Sequence, residues 1–183
     1  MGHALENDSA EIVATRRWLE RAVIGLNLCP FAKAVYVKQQ VRFALSDAEL
    51  EDDLLEELAE ELLRLRDTPA HEIDTTLLIH PQVLTDFLDY NDFLDRVDAL
   101  IEALDLEGEL QVASFHPQYQ FADSEADDPA NCTNRAPYPT LHLLREASLD
   151  KAITAYPDAD VIVERNLETM AELGLGAYNG LLK

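Results

Sequence analysis

The sequence predicts an α/β domain with a small, mainly parallel sheet of about three strands and about five helices. Three short runs rich in β-branched or aromatic residues, 41–46, 73–79 and 110–115, have the length and composition of strands. Two long segments with apolar residues at helical spacing separate them, and strand–helix–strand alternation of this kind favours parallel pairing. At 183 residues the chain suffices for one real core, so residues 1–183 are expected to form a single domain.

Taken in order, Ile12, Leu19, Ala22, Val23 and Leu26 recur at helical spacing and predict a helix over 9–26, stopped by Gly25 and Asn27. Cys29-Pro30 then marks a new start, because proline suits the first helical position. Cys29 is therefore a candidate N-cap whose thiolate a helix dipole would favour, or else a small buried hydrophobe beside Pro30 and Phe31. Val41 to Ser46 reads as a strand. Ser46 and Glu49 form a capping box before the stripe Leu50, Leu54, Leu58, Leu62 and Leu65, a helix closed by Asp67-Thr68-Pro69.

Ile73 to Ile79 reads as a buried strand, residues 84–104 as a helix, and Leu110 to Phe115 as a third strand. Helical spacing is also read from Thr140, taken as an N-cap, and again over about 160–173, where Gly174 and Gly176 end it. Residues 116–139 are a connection about twice the length beyond which a structureless loop is usually functional or disordered. Tyr119, Phe121 and Tyr138 argue for order.

The net charge of −22, from 36 acids against 14 bases, repels phosphate backbones and excludes nucleic acid as an expected partner. No apolar run approaches the roughly 20 residues that span a bilayer, so no membrane role is expected. The start lacks a basic region followed by an apolar stretch, which predicts a cytoplasmic protein with Cys29 and Cys132 as free thiols. The acids of 47–61 read as a solvated helix face, or as a surface for a basic protein partner.

The chemistry-bearing residues concentrate at the strand ends and in the long loop. His80-Pro81-Gln82 and His116-Pro117-Gln118 each follow a predicted strand, and parallel strands put both at the C-terminal edge, where open α/β sheets place ligand sites. Arg135, His142 and Arg145 flank the expected helix start, where cations are disfavoured unless something negative compensates. Either a substrate phosphate or carboxylate does so, held by Arg135, Arg145 and the N–H groups at Thr140, or the acids of the loop pair with these cations.

A divalent metal at His80, His116 and His142 is an alternative whose spacing matches no zinc pattern. The run Asp123 to Asp128 lacks the glycine and glutamate of a calcium loop, and no phosphate-binding glycine motif occurs.

Two resemblances add to this reading. Cys29-Pro30-Phe31-Ala32 resembles the active-site start of single-cysteine members of the thioredoxin and glutathione-transferase superfamily, which would imply redox or transferase chemistry at Cys29 and a strand over 22–28. The segments 27–33 (NLCPFAK), 114–121 (SFHPQYQF) and 134–146 (NRAPYPTLHLLRE) resemble a bacterial family catalogued as domain of unknown function number 1415. That resemblance implies a stand-alone bacterial protein and brings no reaction.

The functional expectation is thus an enzyme acting on a small anionic metabolite at the C-terminal edge of the sheet. His116 is the expected general acid/base, and His142 and Cys29 are further catalytic candidates. Arg135, Arg145, Asn134, Tyr119, Tyr138, Thr140 and His80 would hold the ligand. A non-catalytic anion-binding or regulatory module is the alternative.

Overall fold

The computed structural model describes residues 9–156 and 161–183. Four strands form one sheet: β1 (Val41–Leu45), β2 (Thr75–Ile79), β3 (Leu110–Phe115) and β4 (Thr140–Arg145), in spatial order β1-β2-β4-β3. The three expected strands are present and run in the same direction. β1 pairs with β2 in parallel, whereas β4 lies between β2 and β3 and is antiparallel to both. The class is therefore α/β with a mixed sheet.

β4 corrects the helix expected from Thr140. Thr140, His142 and Leu144 face one side and Leu141 and Leu143 the other, and the latter two are fully buried. The second edge of β2 and an edge of β3 accept this segment in register, Leu77 opposite His142 and Ala113 opposite the same residue. Ladder hydrogen bonds on both edges outweigh the helical spacing of His142, Arg145 and Leu149. The helix, α5, begins only at Glu146 and runs to Ala155.

Helices α3 (Glu51–Asp67) and α4 (Phe87–Ala103) cover one face of the sheet. Leu54, Leu58, Leu62 and Leu65 of α3 are all fully buried against Tyr90, Phe93 and Val97 of α4 and Leu78, Leu141 and Leu143 of the sheet. α4 starts at the N-cap Asp86, whose carboxylate accepts from the N–H groups of Leu88 and Asp89. Ser46 does not cap α3, which begins at Glu51. Its hydroxyl instead accepts from Ala48 N–H in a local turn.

The opposite face carries α1 (Ala10–Trp18), a π-helical turn (Leu19–Ile24) that continues it, α2 (Ala32–Val37), α5, and α6 (Ile162–Leu181). The expected start of the last helix near residue 160 lies outside the described residues. α6 kinks at Gly174, whose φ of 73° is a left-handed conformation open to glycine. Beyond the kink, Tyr178 is buried, receives a hydrogen bond from Trp18 Nε1 and donates to Arg135 O. Among the described residues no helix is long and apolar enough to cross a membrane.

Candidate functional site

The two faces of the sheet are filled differently. Against α3 and α4 the leucines interlock. Against the N-terminal and C-terminal helices a cavity of about 1140 Å³ remains, floored by Thr75, Leu77, Phe115, His142 and Leu144. This exceeds the ~300–1,000 Å³ usual for small-molecule sites. Its walls come from Trp18 and Leu19, from Cys29 and Phe31 before α2, from Ser148 and Ala152 of α5, and from Asn166 and Leu167 of α6.

His142 stands in the floor with its tautomer and orientation fixed by Thr75. The Thr75 hydroxyl donates to Leu143 O at 2.6 Å, so it accepts from His142 Nε2–H at 2.7 Å. The ring is the Nε2-protonated tautomer, and Nδ1 keeps its lone pair. Burial pushes the imidazole pKa down to about 4, so it is neutral near pH 7. Cys29 lies on the wall in the turn between the π-helical segment and α2, partly exposed and without a disulfide partner.

The cavity's two ends differ in chemistry. One end lies where β1 and β2 begin and β4 finishes, beside Gln40, Asp74 and Leu144. Lys38 at the end of α2 and Lys151 of α5 line it, two of the chain's four lysines. Among the described residues neither has an ion-pair partner, although the chain carries 36 acids. Asp74, the nearby acid, accepts from Ser148 Oγ at 2.6 Å. At the other end, where β3 finishes, Trp18 meets Phe115 edge to face, ring centroids 5.1 Å apart.

The profile of the family described as protein of unknown function, DUF1415, matches residues 10–179, almost the whole described chain. The chain belongs to the DUF1415 family. No curated protein and no solved structure matches it.

Of the residues expected at the site, the DUF1415 fold brings Cys29, Asn134, His142 and Arg145 to the cavity. The others go elsewhere. His80 and His116 do share the C-terminal edge of β2 and β3, but both are fully buried around Tyr90 on the α4 side. His116 Nε2–H donates to Leu84 O at 3.2 Å and Nδ1 accepts from Gln118 N–H at 3.0 Å, so both ring nitrogens are engaged. His80 Nδ1–H donates to Val83 O, and burial pushes its pKa to about 4. His142 lies on the other face of the sheet, so the three histidines do not converge on one metal. Among the described residues no group of three or more His, Cys, Asp or Glu side chains is placed to hold one.

The two arginines satisfy backbone carbonyls. Arg135 donates to Tyr119 O and Ala126 O, pinning the long loop. Arg145 alternates to the α3 side and donates to the carbonyls of Leu65, Thr68 and Ile73, capping the C-terminus of α3. Neither expected alternative, a bound anion or the loop carboxylates, is needed to account for their positions. Thr140 is a buried strand residue whose hydroxyl donates to Tyr138 O, and the Tyr119 ring rests against Phe87 and Phe121. The long loop is ordered as expected, closed by a 3-10 turn (Pro129–Asn134) and by buried Asn131, which bonds Phe121 N, Ser124 and Glu125 O.

The strand needed for a thioredoxin-like Cys29 is absent: Leu19–Ile24 is helical and Cys29 follows a helix and turn. Sequence reasoning missed Trp18, Lys38, Thr75, Lys151 and Asn166. The scarcity of lysine was the available signal for two of them. The others depend on which residues the fold sets opposite one another.

Proposed function

We propose that this DUF1415 protein is an enzyme acting on a small anionic molecule held in the cavity between the sheet and its N- and C-terminal helices. One observation carries the reading: two lysines with no ion-pair partner among the described residues line a cavity whose floor and wall also hold His142 and Cys29. In a chain of net charge −22, cations left without carboxylates at a concave site mark where an anion gains most. Lys38 and Lys151 would hold the anion, His142 Nδ1 would accept a proton or hydrogen bond from it, and Cys29 would supply a nucleophile.

A non-catalytic anion-binding module is supported by a different observation. Burial holds His142 down at about 4, and general acid–base catalysis works best with a group near the operating pH. In this second reading the ring is a fixed acceptor.

Thermal unfolding of the untagged protein against a panel of phosphate and carboxylate metabolites tests the site, since selective binding to the folded state raises the midpoint. A saturable rise that disappears in Lys38→Gln/Lys151→Gln is expected. No rise with any member of the panel would defeat the proposal. Among ligands that bind, turnover lost in Cys29→Ser or His142→Gln with the rise retained separates the enzyme from the binding module.

A further inference from the structure

We infer that the ligand is an amphipathic acid: an alkyl-chain carboxylate whose head lies at the Lys38 and Lys151 end and whose chain runs over the sheet toward Trp18 and Phe115. This rests on the anion reading above and narrows it to a ligand class. Three features of the cavity point to the alkyl chain.

The first is size. About 1140 Å³ is far more than a small polar metabolite fills, and an unfilled apolar cavity forfeits the contacts of its lining. The second is the character of the wall between the two ends. Leu19, Leu28, Leu77, Phe115, Leu144 and Leu149 supply hydrocarbon, and in the sheet floor the Thr75 hydroxyl is already engaged with both His142 and Leu143 O. The third is polarity along the length. The lysines stand where β2 begins and β4 ends, and Phe115 stands opposite Thr140 at the other end of β4. Six strand residues span roughly 20 Å. An anion confined to the lysine end would leave the aromatic end empty, whereas an extended chain of about ten carbons reaches toward it.

A neutral apolar molecule would gain nothing from Lys38 and Lys151, and a short anion would leave the hydrocarbon wall uncovered. Only a ligand with both parts meets both halves of the cavity.

Trp18 is the chain's one tryptophan and lines the cavity, so its fluorescence reports occupancy directly. Titration with octanoate, decanoate and dodecanoate below their aggregation concentrations is expected to show binding that tightens ~fourfold per methylene, the ~0.8 kcal/mol per buried CH₂ converted at 1.4 kcal/mol per tenfold. Decanoate should bind at least about threefold more tightly than decan-1-ol, and Lys38→Gln/Lys151→Gln should remove that difference while leaving the alcohol unaffected. Both lysines are exposed, so the variant should fold. A fatty acid brominated at its terminal carbon should quench Trp18 more strongly than one brominated beside the carboxylate.

Binding that ignores chain length, with short anions still sensitive to the two lysines, would overturn the alkyl-chain inference and leave the anion site standing. Equal binding of decanoate and decan-1-ol would overturn the anion site itself. Stronger quenching by bromine beside the carboxylate would reverse the orientation and overturn the placement of the head. No response of Trp18 or of the unfolding midpoint to any of these compounds would overturn both readings.

Discussion

Thr75 Oγ1 and His142 Nε2 lie 2.7 Å apart across the junction of β2 and β4, and the same hydroxyl donates onward to Leu143 O. One threonine thereby selects the tautomer of the histidine in the cavity floor. Thr75→Val keeps the shape and removes the relay, so His142 Nε2–H loses its acceptor. The variant is expected to lose roughly 1–3 kcal/mol in urea unfolding, with Thr75→Ser recovering most of it. Ring-nitrogen NMR shifts of His142 should show a mixed tautomer in Thr75→Val, and unchanged shifts would refute the relay.

The buried histidines predict the acid limb of stability. His80 is fully buried with its pKa near 4, below the ordinary 6.5. A depressed value in the folded state means the unfolded chain takes up the proton first. The contribution is whole above pH 6.5 and is lost progressively as pH falls to about 4. For His80 the loss amounts to roughly 3 kcal/mol at ~1.4 kcal/mol per pH unit. His142 adds to it in the same direction. Denaturant unfolding of His80→Gln between pH 7 and 4 should show a shallower fall than the parent, and an identical slope would rule this source out.

His116 is expected to matter for stability. Both of its nitrogens are bonded and its ring sits between Phe87 and Tyr90. His116→Ala should cost roughly 2–4 kcal/mol. Urea unfolding checks this. A variant that unfolds like the parent but has lost activity would return His116 to the chemistry.

Arg145 makes a comparable claim on the same face, at the end of α3. Its guanidinium is the donor for the terminal carbonyls of α3 at Leu65 and Thr68 and for Ile73 O. Arg145→Met should destabilise by roughly 2–3 kcal/mol, and Arg145→Lys should restore less than half, because an ammonium cannot span three carbonyls as a planar fork does. Ligand-induced shifts of the unfolding midpoint should persist in Arg145→Lys. Their selective disappearance would place Arg145 in the anion site after all.

The local part of this architecture was legible because it rests on side-chain period. Leu110 to Phe115 was read with its observed bounds, the leucine stripe of α3 buries as its spacing requires, and the common edge of His80 and His116 follows from the shared direction of β2 and β3. Thr140 to Arg145 was not legible, since its short stretch satisfies both periods and only pairing on two edges decides between them. The bonds that fix the roles of His142 and Arg145 reach partners 67 and 72 residues away.

What the sequence alone determined, then, was the class of fold, three of its four strands and the helices α3 and α4, because these depend on neighbours within a few turns. Tertiary structure decided that Arg135 and Arg145 serve carbonyls, that His80 and His116 are turned inward, and that Cys29, Lys38, Lys151 and His142 share a cavity. A side chain's chemistry is set by what faces it, and here what faces it comes from distant parts of the chain.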